Sequence, residues 1–205
     1  MANKVLTSDL RQMDASKEQS LLRWRSIGVD WNNLGIWSCV KADYAACLDA
    51  FRAEVAAMEK TTADSHDMGA ALDLVRARLN LARAQISAGQ LDVAHDGLLG
   101  NKAQIETLLA GNNTYEIQYF LAECEEELGS IEAWRAAAAK NREQQLQAWQ
   151  SAHAWFAKSV PRFAPILKVA SLTIWDRPPA ERAASGLARS TAEIHRLEES
   201  GARPH

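Results

Sequence analysis

Apolar residues recur along this chain at helical spacing, in segments separated by short polar or glycine-containing breaks. Between residues 44 and 58 the stripe consists of Tyr44, Cys47, Leu48, Phe51, Val55 and Met58. Intervals of three, four and seven residues place these side chains on one face of an α-helix. The preceding segment repeats the spacing with Trp31 and Leu34, and Gly35 leaves room for a neighbouring helix. We therefore predict a helix hairpin over about 21–60, with its turn near Lys41–Asp43.

Two further pairs of apolar segments predict two more hairpins. One covers about 72–110 with a turn at Gly89, and the other covers about 115–158 with a turn at Gly129. A helix that stops near Pro161 and capping helices over 162–198 complete the predicted domain. Residues 1–15 are polar and predict a flexible N-terminus, followed by a helix start at Ser16. The prediction is one all-α domain over residues 16–200.

The composition agrees with an all-α fold, because Ala is abundant while Gly (10) and Pro (5) are few. The net charge of −3, without a basic stripe, argues against nucleic acid as a partner. No apolar run is long enough to span a membrane, and the N-terminus lacks the apolar region of a secretory signal. We therefore expect a cytoplasmic protein that binds no membrane. Its cysteines follow no motif spacing and predict reduced, buried thiols at Cys39, Cys47 and Cys124.

The first hairpin matches the repeat pattern W-x2-L-G…A-x3-F at Trp31, Leu34, Gly35, Tyr44, Cys47 and Phe51. This hairpin resembles the tetratricopeptide (TPR) family. The long spacing between turns, with the stretch AWQSAHAWFAKS at residues 148–159, resembles the C-terminal regions of bacterial eukaryotic-like serine/threonine kinases. The resemblance implies stacked antiparallel hairpins that form a short superhelix and hold a partner. The Gly-rich, HRD and DFG motifs of kinases are not in the sequence, so it implies a regulatory part and not the catalyst.

In a TPR array the first helix of each hairpin lines the concave groove, so the resemblance also implies a partner-binding site. The groove residues that it implies are Asn32, Ile36, Arg76, Leu79, Arg83, Tyr119 and Glu123. Arg76 and Arg83 are seven residues apart on one helix face, where two guanidinium groups suit a carboxylate or a phosphate. The alternative is that both arginines are solvated or pair with neighbouring acids.

Other candidate sites receive a simpler interpretation. The four acids at Glu123 and Glu125–Glu127 predict a solvated helix face and not a metal site. Asp92 and His95 form an i, i+3 pair, which supplies too few ligands for a metal ion without others. No Gly-x-Ser-x-Gly or Cys–His nucleophile motif occurs, so we expect no enzyme activity, no metal and no cofactor.

The sequence thus favours a non-catalytic protein–protein interaction scaffold or regulatory module, in bacterial signalling. The partner is a protein or peptide, and a homodimer is an additional option. Trp37 falls off the main apolar stripe, and we predict that it is exposed for a partner. The alternative function is a small-ligand sensor, whose closed pocket between Trp-lined helices is reached by Trp31 or Trp155.

Overall fold

The computed structural model describes residues 21–63, 65, 67–169 and 177–202. Within these ranges the chain forms seven α-helices and no β-strand, which confirms the predicted all-α fold of helix hairpins. The helices are α1 (Leu21–Val40), α2 (Tyr44–Ala63), α3 (Met68–Ser87), α4 (Leu91–Gly111), α5 (Tyr115–Ala138), α6 (Arg142–Val169) and α7 (Arg177–Ala202). No helix in this part of the chain is both long and apolar enough to cross a membrane. The predicted flexible N-terminus and the helix start at Ser16 lie outside the described residues.

The chain divides into two compact units, Met1–Gly97 and Leu98–His205. In the first unit α2 packs against both α1 and α3, around a core that includes Trp31, Leu48 and Phe51. In the second unit α6 packs against both α5 and α7, around Trp149, Phe156 and Phe163. The first and last residues of α4 belong to different units.

Glycine residues on α1 let α2 approach closely. A Cβ atom on Gly35 would lie 2.8 Å from the Phe51 ring, and a Cβ on Gly28 would lie 2.5 Å from Met58 Cε. Since real Cβ atoms do not come this close, a larger residue at either position would push the helices apart. The predicted role of Gly35 is confirmed, and α1 runs through Gly28 without a break.

The predicted turns after α1 and α3 are both present, and each contains a residue in the left-handed region. Gly89 has a φ of 75° and Ala42 has a φ of 57°. At the first turn the Asp43 N–H donates to the Ser38 carbonyl oxygen, five residues earlier, at 3.0 Å. Of the two hydrogen bonds of a Schellman cap, this is the one that spans more residues. Ala42 therefore occupies a position whose backbone favours glycine.

The third predicted turn is in the wrong place. Gly129 lies inside α5, where a Cβ atom would come within 2.8 Å of the Phe156 ring, so this glycine makes room for α6. The chain turns instead at residues 139–141. There the Asn141 side chain accepts a hydrogen bond from the Gln144 N–H at 2.9 Å and caps the start of α6.

The predicted helix stop near Pro161 is also wrong, because α6 continues through Pro161 and Pro165 to Val169. Phe163 and Ile166 are buried, so burial of this end of α6 outweighs the cost of interior prolines. The capping segment predicted from residue 162 is therefore the end of α6 up to Val169, and residues 170–176 lie outside the described part. The last helix is confirmed, and it begins with prolines in its first turn, as the sequence predicts.

Two of the three cysteines are not reduced thiols, which corrects the prediction. Cys39 and Cys47 form a disulfide with their Cα atoms 5.2 Å apart. This bond links the end of α1 to the start of α2 across the turn. Cys124 is a buried free thiol, as predicted, and the Asn101 side-chain nitrogen lies 3.7 Å from its sulfur. The spacing of eight residues did not predict the disulfide, because it is the turn between the two helices that brings the two sulfurs together.

Candidate functional site

The first unit presents an exposed apolar face on α1. It consists of Val29, Ile36, Trp37, Val40 and the adjoining Tyr44, and we call it the α1 surface. Trp37 is 61% exposed and Val40 is 75% exposed, so the predicted exposure of Trp37 is confirmed. The positions within α1 follow helical spacing over eleven residues, about 16 Å of helix. Three large apolar side chains this exposed at one end of a helix, Ile36, Trp37 and Val40, are typical of an interaction site.

The α1 surface arises because α1 carries apolar residues on two opposite sides, and only one side faces the core. Ile27, Trp31 and Leu34 point into the core and are at most 6% exposed, which leaves the other apolar positions of α1 outside. Lys41 lies at the end of the surface with its Nζ atom 5.7 Å from the centroid of the Trp37 ring. This distance suits a cation–π contact, and it gives the ring a fixed neighbour at the hairpin tip.

The predicted groove residues of the first unit do not share one environment. Ile36 belongs to the α1 surface, whereas Leu79 is 1% exposed and is a core residue. Asn32 is half-buried, and its side-chain nitrogen donates to Glu54 Oε1 at 3.1 Å. Arg83 is half-buried on α3.

Arg76 pairs with a neighbouring acid, which is the alternative to partner binding that the sequence left open. It pairs with Asp73 one turn earlier on α3. The same carboxylate lies 2.5 Å from the Arg25 guanidinium on α1. Arg76 therefore shares a buried acid with another arginine, and only half of its side chain is exposed. These contacts tie α1 to α3 and reduce the charge that Arg76 offers to an anionic partner.

Glu54 is a buried acid that was not among the predicted site residues. It is 2% exposed on the face of α2 that meets α1 and α3. Burial raises the pKa of Glu54 to about 7, although hydrogen bonds from Asn32 and Asn80 and the charge of Arg76 oppose the increase. In the repeat pattern that the first hairpin resembles, a small residue is expected at position 54, so Glu54 departs from that pattern.

In the second unit the predicted groove residues contribute to packing. Tyr119 is half-buried and meets the Phe163 ring edge-on, with centroids 5.6 Å apart. Glu123 is buried, and so are Glu125, Glu126 and Glu127. The predicted solvated face is therefore wrong for all four acids. Among the described residues no three His, Cys, Asp or Glu side chains are grouped to hold a metal ion.

Arginines from two other helices explain how these acids are buried. Arg162 on α6 donates through Nε to Glu125 at 2.9 Å. Arg182 on α7 donates through Nη2 to Glu126 at 2.7 Å and to Glu127 at 3.3 Å. The pairs are 37 and at least 55 residues apart in the sequence, so no local spacing could reveal them.

Burial also raises the pKa of two of these acids. It raises the pKa of Glu125, against the attraction of Arg162. Burial and the neighbouring Glu127 raise the pKa of Glu126 to about 7, against its bonds from Arg182 and Ser130. The cluster of Glu125, Glu126, Glu127, Arg162 and Arg182 pins α6 and α7 to α5, and its three acids already pair with these arginines.

A cleft opens beside this cluster, within the second unit. It has a volume of about 420 Å³ and lies among α5, α6 and α7. We call it the α5–α7 cleft, and its lining residues are Ser130, Ala133, Trp134, Ala137, Trp149, Phe156, Arg182, Ser185, Gly186 and Arg189. Two tryptophans and two arginines therefore share one recess of a size that suits a small molecule.

The two tryptophans expected at a pocket lie elsewhere. Trp31 is 4% exposed within the core of the first unit. Trp155 is half-buried, and the Nζ atom of Lys158 lies 4.3 Å from its ring centroid. Trp134 and Trp149 were not predicted to line a pocket. Their positions around α5 and α6 depend on where these helices begin and end, and the predicted turn at Gly129 and stop at Pro161 were both wrong.

Comparisons with known proteins leave the family of the chain a prediction. A scan against protein-family models found no match, and a search of curated proteins found no similar protein. The TPR resemblance therefore rests on the residues of the first hairpin and on the all-α hairpin fold.

Proposed function

We propose that this chain is a non-catalytic regulatory module that binds a partner protein through the α1 surface. The observation that carries the proposal is the exposure of Trp37 beside Ile36 and Val40 on one helix face. Burying such a face on a partner is favourable by about 25 cal/mol for each Å² of apolar area. Tryptophan is the residue type most often found at the energetic centre of protein interfaces.

The shape and charge of the α1 surface suit an amphipathic helix. Ile36, Trp37 and Val40 lie together at the C-terminal end of α1, and Val29 lies seven residues before Ile36 on the same face, so a helix that lies alongside would bury them together. Asp30 and Asp43 are exposed near the two ends of the surface. We therefore propose a partner helix with a basic residue near each end of its apolar face, since these would meet the two carboxylates.

The resemblance to regulatory regions of bacterial kinases supports a role in bacterial signalling.

For location, the sequence favours the cytoplasm, whereas the Cys39–Cys47 disulfide favours an oxidising compartment. Thiol alkylation in cells lysed directly into denaturant, which exposes the buried Cys124, decides between them. One alkylated cysteine supports the oxidising compartment, and three support the cytoplasm.

Partner capture from native lysate tests the proposal. The bait proteins are the wild type, Trp37→Glu, and the control Trp134→Glu, which changes another exposed tryptophan in the second unit. We expect a protein that the wild type and the control retain and that Trp37→Glu loses. Its binding segment, made as a synthetic helix, should bind the wild type at least tenfold more tightly than Trp37→Glu. Equal retention by all three baits would refute the α1 surface as the docking site.

The groove hypothesis has its own variant. Arg76→Glu/Arg83→Glu changes the two α3 arginines and no residue of the α1 surface, and circular dichroism verifies its fold because Arg76 shares Asp73 with Arg25 of α1. Loss of the partner with this variant but not with Trp37→Glu would move the binding site to α3. Retention by the double variant and loss by Trp37→Glu would support the α1 surface.

A second candidate function, small-ligand sensing, is favoured by one observation, the α5–α7 cleft in the second unit.

A further inference from the structure

Arg189 is an exposed cation with an unusual position in the α5–α7 cleft. Its guanidinium carbon lies 5.1 Å from the centroid of the Trp149 ring. Among the described residues, no carboxylate lies within ion-pair distance of Arg189, whereas Arg196 on the same helix pairs with Glu193 at 2.8 Å. The ring contact fixes the guanidinium at the wall of the cleft while its N–H donors remain available to an anion.

The other arginine of the cleft, Arg182, already pairs with acids of the protein. Arg182 bonds to Glu126 and Glu127 beneath it, so its charge is balanced inside the protein. The two arginines are seven residues apart, which places both on one face of α7 about 10 Å apart. Within the described part of the chain, an incoming anion therefore meets Arg189 at one end of the cleft as a cation without a carboxylate partner.

The rest of the lining is aromatic and apolar. Trp134 is 63% exposed, and Trp149 and Phe156 are 2% exposed at the bottom of the recess. Ala133 and Ala137 keep the α5 side of the cleft free of bulky groups. A flat apolar body can stack on an exposed indole ring and remove that ring from water.

From these features we propose that the α5–α7 cleft binds a small aromatic carboxylate. The carboxylate accepts hydrogen bonds from Arg189, and the aromatic body stacks on Trp134. A carboxylate suits the planar guanidinium fork because two parallel N–H donors match its two oxygens. The volume of about 420 Å³ lies in the range of small-molecule sites. This site goes beyond the partner-binding function and depends on different residues in a different unit.

The experiment uses the whole chain and the probe 2-naphthoate, with neutral 2-naphthamide as its isosteric control. Binding is measured by calorimetry and by quenching of tryptophan fluorescence. We expect saturable binding of naphthoate by the wild type and at least tenfold weaker binding of naphthamide, since a hydrogen-bonded ion pair is lost.

Two variants and a matched control locate the site. Arg189→Gln should weaken naphthoate binding at least tenfold and leave naphthamide binding unchanged. Trp134→Ala should weaken the binding of both probes, because both stack on the ring. Arg196→Gln, a change on the same helix outside the cleft, should leave both unchanged. All three side chains are exposed, and circular dichroism verifies the fold of each variant.

Three results would overturn the proposal. They are no binding of naphthoate to the wild type, equal affinity for the acid and the amide, and naphthoate binding by Arg189→Gln at wild-type strength. None of these results bears on the α1 surface, so the two proposals fail separately.

Discussion

Replacing Glu54 by Gln tests whether a buried carboxyl makes the protein less stable at high pH. In the native state burial raises the pKa of Glu54 from 4.5 to about 7. Because the folded carboxyl holds its proton to a higher pH than the unfolded one, the folded state binds more protons between these two values. The free energy of unfolding therefore falls as the pH rises from about 4.5 to about 7. Glutamine cannot ionise, and its oxygen can still accept the hydrogen bond from Asn32.

The size of the effect follows from the two pKa values. A difference of about 2.5 pKa units corresponds to about 3 kcal/mol once both forms are ionised. Between about pH 5 and about pH 8 roughly 2–3 kcal/mol of this penalty develops, since part of it is already present at the lower pH. Over that interval Glu54→Gln should gain about this much stability relative to the wild type.

Urea unfolding of both proteins, followed by circular dichroism at the two pH values, measures this change. Glu125 and Glu126 are present in both proteins, so their own titrations cancel in the difference. Carbon-detected NMR of the Glu54 carboxyl supplies an independent midpoint, which we expect near pH 7. A stability difference that stays constant from pH 5 to pH 8, or a carboxyl that titrates near its ordinary pKa, would refute the reasoning.

Three further predictions concern the first hairpin, and thermal and urea unfolding measures each of them. Gly35→Ala should destabilise the protein by about 1–3 kcal/mol, because its Cβ would meet the Phe51 ring. The control Gly97→Ala, with open space around its Cβ, should be neutral or stabilising, and equal losses would contradict the packing argument. Ala42→Gly should stabilise by about 0.5–1 kcal/mol by relieving the positive φ, and a loss would show that the turn does not need it. Cys39→Ser/Cys47→Ser should cost about 2.5 kcal/mol from the short loop that the disulfide closes. The non-reduced wild type should expose one titratable thiol on denaturation, and three would contradict the bond.

The sequence predicted the elements that depend on local spacing. The first hairpin, its turn at Ala42 and the turn at Gly89 all follow from helical stripes and from residues that end helices. Gly129 looked the same as Gly89 from composition alone. It differs because a ring from α6 packs on it, and only the tertiary contact separates a packing glycine from a turn glycine.

The acids of α5 were misjudged for a related reason. A run of glutamates is normally solvated, since burial of a charge without a partner is costly. Here the partners Arg162 and Arg182 come from helices far along the chain. The contrast with Trp37 is informative, because its exposure follows from its position off the stripe of a single helix. What one helix determines could be predicted, and what three helices build together could not.

The central claim, that the α1 surface docks a partner, is tested most directly by photo-crosslinking in the native cell. Benzoylphenylalanine replaces Trp37 in one protein and Val93 in another, a second exposed apolar position that lies on α4. We expect a crosslink from position 37 to an amphipathic helix of one partner protein, and none to that protein from position 93. A crosslink to a second copy of this chain would contradict the separate partner and show a homodimer. Equal crosslinking from both positions, or none from position 37, would contradict the account.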